Sequence, residues 1–156
     1  MLPDALRRCA LFETLSTDQL ARIEEIARRL DVREGGSIFK EGSPGDEMFV
    51  VVTGTVRISK AIPGAGEEAL TLLPPGATFG EMAVIDEAPR SADAVAHTDC
   101  SLLGLRREDL DRLMFLDKDL AYAVLWAFVR TLSFRLRETS EKLRSFFVFA
   151  GPGGTG

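Results

Sequence analysis

Histidine and cysteine are scarce in this 156-residue chain: it has one of the first, His97, and two of the second, Cys9 and Cys100. A lone imidazole with only scattered carboxylates for company does not build a metal site, so His97, in the strand-like run DAVAHTDCSLLGL, reads as a structural or surface residue. The cysteines are far apart and show no CxxC spacing, which favours a buried, reduced pair of small hydrophobes over a disulfide. Long apolar runs are missing as well. No stretch reaches bilayer length, and the N-terminal MLPDALRRC has no signal-peptide h-region, so the expectation is a cytoplasmic protein without membrane contact. No glycine leads into the GK[ST] of a phosphate-binding P-loop. Nor is there an excess of cations: a formal charge of −5 argues against the basic footprint that nucleic acid demands.

What is present suffices for one domain. A 46% hydrophobic content in a chain of this length supports a real core, and the chain is too short for two comfortable ones. Ser16 and Gln19 stand as a capping box ahead of Leu20, Ile23, Ile26 and Leu30, which share one helical face, so an amphipathic helix is expected to end near Asp31. From Val32 to about Leu105 short β-branched runs are cut by glycines, and Val56 and Ile58 alternate with Arg57 and Ser59. That texture predicts a barrel or jelly roll over about 32–105. A short helix follows over Arg107–Met114. Asp117 then caps a long helix over about 117–147, before a flexible GPGGTG tail at 151–156. On that helix Ala121, Leu125, Phe128, Leu132, Leu136, Thr139 and Leu143 repeat at steps of three and four, the spacing of a coiled-coil seam.

The segment FGEMAVIDEAPRSADAVA, residues 79–96, places one carboxylate, Glu81, and one guanidinium, Arg90, at the ends of an apolar stretch. Met82 to Asp86 has the length of one helical turn, whose backbone N–H groups face whatever lies over Gly80 and Glu81. Arg90 offers planar donors suited to phosphate oxygens. Ionised Glu81 only accepts, and so suits a ribose hydroxyl. Gly80 lets backbone approach closely. Sugar and phosphate in one small ligand point to a nucleotide. An ion pair around an ordinary surface turn is the plain alternative.

Phe79-Gly80-Glu81-Met82-Ala83 through Pro89-Arg90-Ser91-Ala92 resembles the phosphate-binding cassette of the cyclic nucleotide-binding domain family. Leu11-Phe12 with Leu15-Ser16, the turn Glu41-Gly42-Ser43-Pro44-Gly45-Asp46, Gly54-Thr55-Val56 and the stretch Arg135 to Lys142 extend the likeness to nearly the whole chain. The resemblance implies a β jelly roll with N-terminal helices and a long C-terminal dimerisation helix, a mainly β fold flanked by helices. It implies that Glu81 binds the ribose 2′-hydroxyl and Arg90 the cyclic phosphate. Amides around Ala83 and Ala92, the Ser91 hydroxyl and the turn at Gly80 and Met82 would complete the cradle. Ile58, Leu70 and Leu73 would line the apolar side, and Thr139 and Ser140 would reach the purine from the last helix. Two small polar residues on an exposed helix face are the plain reading of that pair. The implied ligand is cAMP, with cGMP the alternative; no other cofactor and no metal is implied. The cassette is shorter than in the catabolite activators and agrees with the kinase and channel branches of the family.

Three classes of function follow. The first is a non-catalytic regulatory sensor that forms a homodimer through its last helix and passes a signal to an effector protein. The second is a transcription regulator lacking its DNA-binding part; with no recognition helix after the long one, this chain alone is not expected to bind DNA. An enzyme comes last, because no metal cluster or activated nucleophile supports it. A module that dimerises and binds nothing is disfavoured by Glu81 and Arg90. Dispersed around the long helix with Glu138 and Glu141, Arg130, Arg135, Arg137 and Arg144 read as a solvated face. Trp126 and the phenylalanines near Phe146 read as packing residues, with a purine lid the other option.

Overall fold

The run Glu47–Thr53 forms strand β3, and its parity organises the molecule: Met48 and Val50 are buried against helices, Phe49 and Val51 against a second sheet. A strand covered on both faces is apolar at consecutive positions rather than at alternate ones, hence MFVVV. The structure, a computed structural model, describes residues 2–64, 66–149 and 151, without the side chains of residues 2, 3 and 67–70. The last five residues of the expected tail lie outside the described residues.

Among the described residues eight antiparallel strands make two four-stranded sheets. One has the order β1 (Arg28–Val32), β8 (Cys100–Arg106), β3, β6 (Thr78–Phe79). The other runs β2 (Ser37–Phe39), β7 (Asp93–Ala96), β4 (Val56–Ile62), β5 (Gly66–Leu73). Between them lies an inner core of Phe49, Val51, Val56, Phe79, Ala94, Ala96, Cys100 and Leu102. The architecture is the mainly β jelly roll flanked by helices that the sequence predicts.

An outer core joins the first sheet to the helices. Leu103 and Leu105 of β8 meet Leu6 on α1 (Leu2–Arg7), Leu20 and Ile23 on α2 (Thr17–Ile26), and Leu110 on α4 (Arg107–Leu116). Leu120, Val124, Ala127 and Phe128 on α5 (Lys118–Phe149) complete it. Cys9 belongs to this outer core and Cys100 to the inner one. The Ser16 and Gln19 capping box forms in both directions. Asp117 caps α5, accepting from the Leu120 N–H at 3.0 Å. Among the described residues no helix is long and apolar enough to cross a membrane.

Two expectations change. The helix expected to reach Asp31 ends at Ile26, because Ala27 turns extended and Arg28–Val32 pairs residue for residue with β8. Leu30 therefore packs on the inner core, where ladder hydrogen bonds and burial outweigh one more helical turn. The seam on α5 also divides between faces. Phe128 is buried in the chain's own outer core, while Leu125, Leu136 and Leu143 are exposed. Tyr122, Val129 and Phe147 share their outward stripe, in which successive members stand three, four or seven apart. The inward face of α5 is taken up first by the helical core and then by the site described next.

Candidate functional site

β6 is only two residues long, pairing with β3 at Phe49 and Val50 before the chain turns away at Gly80. Gly80 holds φ 75 and ψ 6, a left-handed conformation that L side chains resist, and it starts α3 (Glu81–Asp86). A Cβ at Gly80 would also stand 2.7 Å from Nη1 of Arg90. Glu81, in the first turn of α3, is 1% exposed. The helix closes at Glu87, itself left-handed at φ 59, with its N–H bonded to the Ala83 carbonyl and its carboxylate paired with Arg107.

Arg90 is fixed from several sides. The predicted turn at Gly42 and Ser43 holds its backbone: the Arg90 N–H donates to the Ser43 carbonyl at 2.9 Å, and the Gly42 N–H to the Arg90 carbonyl at 2.8 Å. Its guanidinium donates to the backbone carbonyls of Gly80 (3.1 Å) and Glu47 (2.7 Å) and sits over the Phe39 ring, 4.2 Å from the centroid. Among the described residues no carboxylate pairs with it, and its Nε has no acceptor. Burial pushes its pKa below the ordinary arginine value, a fall that Asp46 and Glu47 partly offset.

Glu81 and Arg90 line one cavity of about 540 Å³, with Phe39, Ile58, Leu73, Thr78, Ala83 and Ser91 among the other walls. The volume falls within the range of small-molecule sites, about 300–1,000 Å³. The fourth side is α5, which contributes Arg135, Glu138, Thr139 and Lys142. Arg135 makes an ion pair with Oε1 of Glu81 and donates to the Thr78 carbonyl at 3.1 Å. Burial lowers the Arg135 pKa as well, against the raising effect of Glu138. Oε2 of Glu81 is buried and has no hydrogen-bond partner among the described residues. The site is thus a half-apolar chamber with, among the described residues, an unmatched acceptor and an arginine that makes no direct ion pair.

Of the residues expected here, Gly80, Glu81, Met82, Ala83, Arg90, Ser91, Ala92, Ile58, Leu73 and Thr139 all line the cavity. Leu70 lies on β5 and its side chain is outside the described residues. Ser140 is exposed, about 100° round α5 from Thr139, and is not one of the walls. The Thr139 hydroxyl donates to the Arg135 carbonyl at 2.9 Å, which leaves its oxygen free to accept. Sequence reasoning missed Arg135, read as part of a solvated face. Its position one helical turn before Thr139 was the available signal, since residues four apart share a face.

Residues 29–117 match the family described as the cyclic nucleotide-binding domain. The chain is 26% identical over 152 residues to the CRP-like cAMP-activated global transcriptional regulator of Mycobacterium tuberculosis, covering 97% of this chain and 66% of that one. Among solved structures, the N-terminal domain of a transcriptional regulator from Streptomyces coelicolor A3(2) superposes with TM-score 0.78 at 33% identity, covering 90% of this chain and 95% of that one. The regulatory domain of Toxoplasma gondii PKA with cAMP gives TM-score 0.66 at 27% identity, over 72% of this chain and 42% of that one. The chain therefore spans just under two thirds of the mycobacterial regulator.

Proposed function

Since the chain belongs to the cyclic nucleotide-binding domain family, we propose that it is a non-catalytic sensor that binds a 3′,5′-cyclic nucleotide, cAMP first, and responds through α5. One observation carries the reading: Glu81, 1% exposed, offers the cavity a carboxylate oxygen with no partner among the described residues while its other oxygen pairs with Arg135. A buried ionised acceptor left unmatched is costly, and a ribose hydroxyl donating to Oε2 removes that cost. Arg90 supplies charge-assisted donors to the cyclic phosphate, with the Ser91 hydroxyl and the amides near Ala83 and Ala92 beside it. Ile58 and Leu73 meet the apolar face of the base, and the Thr139 oxygen accepts an amino proton from it.

Glu81 then joins ligand and helix, because one carboxylate holds the ribose and Arg135 together. A ligand shifts a conformational equilibrium only by its differential affinity for the two states. Contacts from Arg135 and Thr139 exist only with α5 docked, so the bound nucleotide favours the docked helix. The outward stripe of α5 pairs with that of a second copy, and an effector protein reads the result.

The decisive experiment is a calorimetric titration of the chain with cAMP, cGMP and their non-cyclic monophosphates. Saturable binding of a cyclic nucleotide, weakened by Arg90→Ala on the order of 2–5 kcal/mol, is expected. No heat with any cyclic nucleotide overturns the reading. The likeness to an isolated N-terminal domain of a transcriptional regulator favours a second reading, the sensor part of a longer regulator. It predicts no sequence-selective DNA shift by this chain alone.

A further inference from the structure

We propose that Phe39 is a positioning residue of this site: its ring is the platform that holds the buried Arg90 guanidinium in place while leaving its charge unneutralised for the anionic group of the ligand. The inference rests on the nucleotide reading of the cavity and adds to it the device that prepares the arginine.

The local sequence makes this platform by a break in strand regularity. In a regular strand Ile38 and Phe39 would face opposite sides of the sheet. Here Ser37 pairs with Val95 and Phe39 with Ala94, so two steps on β2 span one on β7. Such a bulge re-aims side chains. Both Ile38 and Phe39 consequently pack on the inner core. Phe39 is the outermost of three rings, 5.9 Å from Phe79 and 6.2 Å from Phe49, which are themselves stacked at 5.2 Å. The Arg90 Cζ stands 4.2 Å from the Phe39 centroid and 5.9 Å from that of Phe49.

An arginine 7% exposed is usually matched by a carboxylate. That arrangement would stabilise the free protein, but an incoming phosphate would have to displace the carboxylate. Arg90 rests instead on ring faces and two backbone carbonyls, which attract the cation without cancelling it. The glycines around it fit the same purpose. A Cβ at Gly45 would lie 2.3 Å from the Arg90 Nε, so the turn leaves room for the side chain to lie on the ring.

The test uses Phe39→Leu, Phe39→Tyr and Arg90→Ala, singly and combined, with cAMP as the titrant and thermal unfolding to confirm folding. A leucine keeps the apolar volume but removes the ring quadrupole, so Phe39→Leu is expected to weaken cAMP binding roughly ten-fold, and Phe39→Tyr to stay within about two-fold of the parent. In the Arg90→Ala background, Phe39→Leu is expected to cost nothing further. Equal losses for leucine and tyrosine, or the same loss with and without Arg90, overturn the proposal. A second readout needs no ligand: the Nε proton resonance of Arg90 should carry a ring-current shift that Phe39→Leu abolishes. Its absence in the parent also overturns the platform. Should the parent bind no cyclic nucleotide yet show the shift, the nucleotide reading fails and the packing of Arg90 on the ring stands.

Discussion

Glu81 on α3 and Arg135 on α5 form an ion pair across the cavity, and the glutamate is the more deeply buried partner. α3 belongs to the jelly roll and α5 is the last helix, so this pair links the two parts through the site itself. Removing the arginine leaves a buried carboxylate without its counter-ion. Breaking a fully buried pair costs about 3–5 kcal/mol, but the Arg135 side chain is 42% exposed, so about 1–2 kcal/mol is expected for Arg135→Ala. Urea unfolding of the two single alanine variants and the double variant checks this. The pair is refuted as a coupling if the single effects simply add.

The ribose assignment makes a different prediction, about ligands rather than stability. A 2′-deoxy cyclic nucleotide returns no donor to Oε2 of Glu81, so it should bind at least ten-fold more weakly than its parent. Glu81→Gln should lose less affinity than Glu81→Ala, since the amide oxygen still accepts a hydrogen bond. Equal binding of the deoxy and ribo forms by calorimetry would remove Glu81 from the ribose.

Much of this site was legible because its signals are local. Gly80, Glu81 and Arg90 lie in one short segment whose chemistry reads directly, and the turn at Gly42 and Ser43 is equally compact. Arg135 was obscured because the arginines of α5 are dispersed around the helix together with Glu138 and Glu141, and only the fold selects which one faces inward. Phe39 was hidden for another reason. A bulge sets its direction, and strand periodicity assigns it to the wrong face. Leu30 shows the converse error, where helical spacing continued past a backbone that had already turned into a strand.

Gly45 gives a test of how closely the loop is fitted to Arg90. An alanine methyl there would stand 2.3 Å from Nε and 2.5 Å from Cζ, well inside contact distance. The end of an arginine side chain moves more readily than backbone, so the loss of stability should be modest, on the order of 1 kcal/mol. The displaced guanidinium leaves its two carbonyl acceptors and the Phe39 ring, so cyclic nucleotide affinity should fall more, about ten-fold or beyond. A variant with parental affinity and an unchanged melting temperature would show that the glycine is dispensable.

Cys9 should make stability depend on pH at the alkaline end. Burial in the outer core raises its thiol from an ordinary 9.0 to about 11, which the backbone hydrogen bonds of Leu11 and Phe12 only partly oppose. Between those values the unfolded chain loses the proton while the folded chain keeps it, so stability falls as pH rises through the window. The contribution is fully present below about pH 9 and reaches about 2–3 kcal/mol of loss near pH 11. Chemical denaturation at a series of pH values should show that slope in the parent, and a flatter one in Cys9→Ala at its own lower baseline. A parental profile as flat as that of the variant rejects the assignment.

The last prediction concerns the outward face of α5. Tyr122, Leu125, Val129, Leu136, Leu143 and Phe147 are each more than half exposed, and they follow one another at steps close to the heptad pattern. At about 1.5 Å per residue the stripe from Tyr122 to Phe147 runs close to 40 Å, which is long for an apolar surface left to water. Two copies related by a two-fold axis would bury both stripes against each other, with each cavity about 100° round its helix from the seam. Leu136 marks the middle of the stripe, one residue beyond Arg135, and it is 68% exposed, so a charge there disturbs no packing within one chain. The parent should sediment as a dimer at micromolar concentration and Leu136→Glu as a folded monomer with an unchanged β-sheet signal. If α5 is docked more firmly in the dimer, that monomer should also bind cyclic nucleotide several-fold more weakly, because the helix no longer holds Arg135 and Thr139 over the cavity as often. A monomeric parent at tens of micromolar would leave the stripe without a partner copy. A monomeric variant with undiminished affinity would separate the dimer from the site.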